Sequence, residues 1–218
     1  MRFPVIRSRD DLAALTEQLG FLPFFESGVP GWSAAENTDP ALWFTGQEGP
    51  WEWKGQLAAA KRVVYGKFYR GKAAFVSLAC FPHLANYRRD GYDFEGRCDD
   101  GLVPRSDRLV MACLTAREPC RARDVRQLCG VRKGFDTSLT RLQMQTFVLN
   151  RDFVYDLDRQ GRPYGWGNAL LSTPERWLGE DVVNAAALTP AASLTWLVHR
   201  LCCAMPDVDE MTFRKLLK

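Results

Sequence analysis

Four polar residues share the outward side of a predicted helix that begins near Asp136 and extends to about Leu149. At about 100° per residue, the apolar positions gather on one side. The polar residues lie opposite them or at the flank, and they are Thr137, Ser138, Arg141 and Gln145. Arginine pairs well with guanine and glutamine with adenine, so Arg141 and Gln145 are candidates for contacts with base edges. Thr137 and Ser138 are candidates for phosphate contacts, together with Arg132 and Lys133 from the preceding turn.

Two short helices precede this one, and a β-hairpin follows it. Ser106 is a suitable cap for the first helix, and the second spans about Arg121 to Cys129. Alternating apolar and polar residues predict a strand up to Leu157, a turn at 158–161 and a return strand from 163 to 172. This order predicts a winged helix-turn-helix, which presents a helix and a β-ribbon on one side. Arg159 and Arg162 are then at the tip of the wing, within reach of the DNA backbone or minor groove.

The charge distribution also indicates that this segment binds the partner. The chain carries a net charge of only +3, but residues 121–162 contain nine Lys or Arg and five Asp. A cationic segment suits a polyanionic partner, and we expect that partner to be duplex DNA.

The rest of the chain completes an α+β protein. We expect three regions: 1–105, helical with a β-hairpin around Arg70-Gly71; 106–175, the winged helix-turn-helix; and 176–218, helices that pack back on the core. No apolar run is long enough to span a bilayer, and the N-terminal residues lack an apolar export signal. Seven cysteines in a chain of 218 residues do not form a disulfide framework. We therefore expect a cytoplasmic protein without a membrane partner; the sequence leaves its oligomeric state open.

The sequence gives less support to catalysis, metal binding or base stacking by residues outside the predicted DNA-binding segment. The two histidines, His83 and His199, belong to no triad or metal motif, and we expect no metal and no cofactor. A charged stretch at 88–105, predicted to be a loop, contains carboxylates suited to general-base or metal chemistry, but we expect them to pair with neighbouring arginines. Aromatic and basic residues at 51–69 are suited to base stacking, although we expect most of them to be core.

Five segments resemble a known family. They are Gly91–Phe94, Lys133–Asp136, Leu142–Gln145, Tyr164–Gly167 and Thr173–Glu175. They resemble the AlkZ-related bacterial proteins and, less closely, the AlkZ-type winged-helix DNA glycosylases. Gln143-Met144-Gln145 matches the catalytic Gln-apolar-Gln signature of those glycosylases, although in that family the signature lies near the N-terminus. The resemblance implies a catalytic role for Gln143 and Gln145.

Three functions follow from these observations. The first is a winged-helix protein that binds DNA in repair or regulation without performing chemistry. The second is a DNA glycosylase that acts on alkylated or crosslinked bases. The third is a winged helix used only for contacts between proteins.

Overall fold

The protein has an α+β fold, with helices packed around two small antiparallel sheets. The computed structural model describes residues 3–43 and 48–218, without the side chains of Pro163 and Trp166. The α+β prediction is confirmed. No described helix combines the length and the hydropathy that crossing a lipid bilayer requires.

The first half builds one sheet with helices on either side. Its elements are α1 (Arg9–Leu19), β1 (Phe21–Pro23), α2 (Ala34–Asn37), α3 (Pro50–Ala59), β2 (Val64–Tyr69), β3 (Lys72–Val76), α4 (Phe81–Arg89) and α5 (Phe94–Asp99). Local signals explain several boundaries: the Ser8 hydroxyl accepts a hydrogen bond from the Asp11 N–H and starts α1, and Gly20 ends it at a φ of 77°. The strand order is β1-β3-β2.

The second half builds the other sheet and closes the chain with helices. Its elements are α6 (Arg105–Thr115), β4 (Cys120–Arg121), α7 (Ala122–Leu128), α8 (Phe135–Met144), β5 (Leu149–Leu157), β6 (Pro163–Ser172), α9 (Pro174–Leu178), α10 (Glu180–Val183), α11 (Pro190–Ala204) and α12 (Glu210–Leu217). The strand order is β4-β6-β5, so the long β5–β6 hairpin is extended by the short strand β4.

Three predicted boundaries are wrong. Ser106, predicted to cap the first helix of the second half, lies inside α6, which begins at Arg105 with Pro104 as its N-cap. The helix expected to reach Leu149 ends at Met144, because Thr146 adopts a left-handed backbone with a φ of 64° and the next residues enter β5. The charged stretch 88–105, predicted as a loop, contains α5. The Asp93 carboxylate caps this helix by accepting the Gly96 N–H at 2.7 Å.

The apolar side chains form two cores. The larger one joins the first sheet to the last helices, with Trp32, Phe75 and Phe213 fully buried. The smaller one lies between α6, α7, α8 and the second sheet, with Leu114 and Leu142 at its centre. All seven cysteines are free thiols, and several lie in these cores, where they pack as small apolar groups.

The two halves meet where β5 crosses α3. A Cβ at Gly55 would lie 3.2 Å from the Phe153 ring, so any larger residue would require that ring to shift by a few tenths of an ångström. Lys54, which is 2% exposed, lies against the rings of Trp51 and Phe153 at 3.8 and 4.4 Å from their centroids. Burial lowers the pKa of Lys54 to about 8, and the charge of Glu52 opposes that change.

Candidate nucleic-acid interface

The amino end of α8 is open and carries cations. The N-cap is Gly134, so no side chain caps the first backbone N–H groups of the helix. Arg132 and Lys133 immediately precede it, and both are exposed with no ion pair or hydrogen bond to the described residues. The exposed Thr137 follows in the first turn. Backbone N–H groups, two cations and a hydroxyl therefore surround one helix terminus, a combination that suits a phosphate.

Arg141 is held by an acid of its own chain. Its Nε and Nη2 atoms donate to the two oxygens of Asp107 on α6, at 2.6 and 2.7 Å. The Asp107 side chain is 1% exposed, whereas that of Arg141 is 37% exposed. These hydrogen bonds raise the pKa of Arg141. Asp107 occupies the Nε and Nη2 edge of the guanidinium and so fixes the orientation of Arg141, whereas the Nη1 donors are not engaged by Asp107.

Ser138, predicted as a phosphate contact, is 1% exposed, and its hydroxyl donates to Ser106 at 2.9 Å. It therefore has no direct path to a phosphate in this conformation. Gln143 is also buried: its Oε1 accepts the Lys67 N–H at 2.6 Å, and its Nε2 donates to Asn150 at 3.1 Å. Both ends of this amide are engaged within the protein, and the side chain is 2% exposed. Gln145 is half-buried and follows the last turn of α8.

The remaining cations of the segment 121–162 are mostly paired. Within the described residues, ion pairs join Arg121 and Arg123 to Asp156, Arg126 to Asp136, and Arg162 to Asp158. Arg151 lies over the ring of Trp177, 3.7 Å from its centroid. Among the described cations of this segment, Arg132, Lys133 and Arg159 are therefore the exposed ones without an acidic partner.

The β5–β6 turn is organised around Asp158. Its carboxylate accepts the backbone N–H groups of Gln160 and Arg162 at 2.8 and 2.9 Å, and the Arg162 Nε at 2.9 Å. The backbone hydrogen bond from Arg162 lowers the pKa of the Asp158 carboxyl. Arg162 is therefore paired within the turn, while Arg159 is exposed without such a partner among the described residues.

The turn between β2 and β3 supplies two cations that the sequence analysis did not select, Arg70 and Lys72. Both are exposed. The intervening Gly71 donates its backbone N–H to the Met144 sulfur at 3.1 Å, which seats the turn on α8. No local pattern in the sequence indicates this contact, because it joins residues that are 73 positions apart.

A polar cleft of about 500 Å³ lies between α4, α5, α9 and α10. Asp93 and Glu175 line it, and they belong to two of the segments that carry the family resemblance. On its wall the guanidinium of Arg89, 5% exposed, binds the Glu175 carboxylate and both the hydroxyl and the carbonyl of Thr146. Glu180 lines both this cleft and an adjoining one of about 750 Å³. Among the described residues, no three His, Cys, Asp or Glu side chains are grouped to hold a metal ion.

The comparisons with known proteins identify the family. The sequence model described as AlkZ related matches residues 6–218, and the chain therefore belongs to the AlkZ-related family. No curated protein and no solved structure matches the chain.

Proposed function

We propose that this protein binds duplex DNA through its second half, chiefly by phosphate contacts and with little preference for sequence. We interpret the order α6-β4-α7-α8-β5-β6 as a winged helix-turn-helix, with α8 as the second helix of the motif and β5–β6 as the wing. Membership of a family related to AlkZ agrees with a role on DNA. The observation that carries the proposal is the uncapped amino end of α8, with Arg132 and Lys133 unpaired beside it.

Phosphate binding follows from the electrostatics of this terminus. The aligned peptide dipoles place a partial positive charge at the amino end of a helix, and two side-chain cations reinforce it. Arg159 adds a third cation at the β5–β6 turn, on the hairpin that borders α7. The Arg123–Asp156 ion pair, with an N–O distance of 2.6 Å, ties that hairpin to α7.

A weak preference for DNA sequence follows from the positions of Arg141 and Gln145, the two residues predicted to contact base edges. Arg141 is engaged by Asp107, and Gln145 lies beyond the carboxyl end of α8, whereas groove-reading helices use their amino-terminal half. Contacts with phosphates fix a protein on the duplex but carry no direct sequence information.

A salt titration tests the proposal. Fluorescence anisotropy with a labelled random duplex should show binding at low salt that weakens steeply as salt is added. Arg132→Ala/Lys133→Ala should reduce the slope of log K against log salt by about 1.8 and weaken binding roughly 60-fold at about 0.1 M salt, because about 0.9 counterions are released per phosphate contact. The control is Arg9→Ala/Lys215→Ala, which removes the same charge from exposed positions of α1 and α12.

Two results would contradict the proposal. If the wild-type protein does not bind at low salt, the proposed function is wrong. If the double variant binds as the control does, the amino end of α8 is not the interface.

Base excision is the second candidate function, and the polar cleft favours it. Its volume of about 500 Å³ lies within the usual range of small-ligand sites, about 300–1,000 Å³. Glu175 is paired with Arg89 and Asp93 caps α5, so Glu180 is the carboxylate of this cleft that suits the cationic bases that alkylation produces. Incubation with alkylated duplex, followed by cleavage at abasic sites, tests for this activity. Glu180→Gln should lower the rate, and full activity in Gln145→Ala would exclude the Gln-apolar-Gln signature from the chemistry.

A further inference from the structure

The turn that joins β2 to β3 lies against the outward side of α8. Its centre is Arg70 and Gly71, with φ values of 50° and 76°, and Tyr69 pairs with Lys72 across it. Two positive φ values are typical of a tight hairpin turn, in which the central side chains project away from the sheet. Arg70 and Lys72 are exposed. In the part of the chain that the structure describes, neither forms an ion pair with an acidic residue.

Three hydrogen bonds fix this hairpin on the helix. Gly71 donates to the Met144 sulfur, and a Cβ at Gly71 would lie 3.3 Å from the Thr140 methyl. Lys67 donates its backbone N–H to Gln143 at 2.6 Å and its ammonium to the Thr140 hydroxyl at 3.1 Å. The turn is therefore held by both strand and tip, and its two cations have a defined position beside α8.

A shallow groove of about 540 Å³ separates the turn from the amino-terminal half of α8. Its lining residues are Gly71, Asp136, Thr137, Thr140, Arg141 and Met144. The acids near it are already engaged, because Asp136 pairs with Arg126 and Asp107 pairs with Arg141. Exposed cations without an acidic partner among the described residues adjoin its lining in sequence: Arg70 and Lys72 flank Gly71, and Arg132 and Lys133 precede Asp136. The Arg70 guanidinium also interacts with the Tyr69 hydroxyl.

We propose that this groove holds the sugar–phosphate backbone of one DNA strand, with Arg70 and Lys72 contacting its phosphates. The inference rests on the proposed function and extends the interface from the second half of the chain to the first. The distance is suitable, because Thr137 and Met144 are seven residues apart, which is about 10 Å along a helix. Successive phosphates of one DNA strand lie farther apart along the strand than their rise of about 3.4 Å along the duplex axis, so the groove is long enough for about two of them.

The test measures Arg70→Gln/Lys72→Gln by anisotropy against the same duplex and the same Arg9→Ala/Lys215→Ala control. The variant should reduce the salt slope by about 1.8 and weaken binding roughly 60-fold at about 0.1 M salt. Arg70→Lys/Lys72→Arg keeps both charges and should retain binding. Urea unfolding of each variant should match the wild type, because both side chains are exposed.

The outcomes separate this inference from the proposed function. If Arg132→Ala/Lys133→Ala weakens binding and Arg70→Gln/Lys72→Gln matches the control, the groove does not hold DNA, although the amino end of α8 does. If the wild-type protein does not bind DNA, both proposals are wrong. Equal losses in the glutamine variant and in the charge-conserving variant would show that the turn acts through its shape and not through phosphate contacts.

Discussion

Removal of Arg141 should destabilise the protein more than removal of its partner, Asp107. Arg141→Ala leaves a carboxylate that is 1% exposed with one remaining contact, the Ser106 hydroxyl at 3.3 Å. Breaking a buried ion pair in this way costs about 3–5 kcal/mol. Because Arg141 is 37% exposed, water reaches part of the vacated space, and we expect about 3 kcal/mol. Asp107→Ala instead releases the guanidinium into solvent, at a cost of about 1.5 kcal/mol for the lost charge-assisted hydrogen bonds.

A double-mutant cycle checks this asymmetry. Arg141→Ala/Asp107→Ala removes both charges and should cost about 2 kcal/mol, less than Arg141→Ala alone, because no buried charge is left unpaired. Urea unfolding followed by circular dichroism gives the free energies. Thermal melting should show a loss of roughly 6–12 °C for Arg141→Ala, at about 2–4 °C per kcal/mol for a chain of this size. The reasoning is refuted if the two single variants cost the same and their costs add in the double variant.

Three further predictions concern buried polar groups. Asp107→Asn should weaken the interaction that keeps the Arg141 side chain against α6. In an anisotropy titration at about 0.1 M salt, the affinity for DNA should increase up to about 8-fold, which is the gain expected from one added phosphate contact. Unchanged affinity would mean that Arg141 does not reach DNA. Gln143→Ala should cost about 2–3 kcal/mol in urea unfolding, because it leaves buried hydrogen-bonding groups unpaired, while Gln145→Ala should change the stability by less than about 0.5 kcal/mol. The free energy of unfolding of the wild type, relative to that of Lys54→Met, should rise between about pH 8 and pH 10.4. The folded protein releases the Lys54 proton near pH 8, whereas the unfolded chain keeps it to higher pH. The unfolded chain therefore binds more protons in this window, and stability increases with pH. Parallel pH curves for these two proteins would show that Lys54 is not desolvated.

Local sequence signals predicted the elements whose ends are set by neighbouring residues. The β2–β3 turn lies at Arg70-Gly71, where the sequence predicted it, because the positive φ values of a tight hairpin depend on a few adjacent positions. The run Phe147–Leu149 was less informative. Three consecutive apolar residues fit the end of a helix as well as a buried strand, and the choice depends on the left-handed residue Thr146 before them.

The candidate interface could be predicted only in part, because its geometry depends on long-range contacts that helical periodicity does not reveal. The helical pattern placed Arg141 on the outward side of α8, but not the acid 34 positions earlier that engages it. It also gave no sign that a hairpin 76 positions away would bury Gln143. The resemblance to AlkZ-related proteins, carried by short segments, is confirmed by the family match over residues 6–218. The winged helix and the predicted DNA contacts stay predictions until binding is measured.

The arrangement of the two cores has a consequence for biosynthesis. Trp32 packs edge-on against Phe213, with ring centroids 5.1 Å apart, so the larger core needs residues that are synthesised after the whole of the smaller core. The buried residues of the smaller core lie between Val110 and Leu171, with Phe94 packed against them, so that core is complete once this stretch has emerged. During translation the middle of the polypeptide should therefore mature before its beginning, and nascent chains halted before α11 should leave the first sheet incompletely covered and open to chaperones.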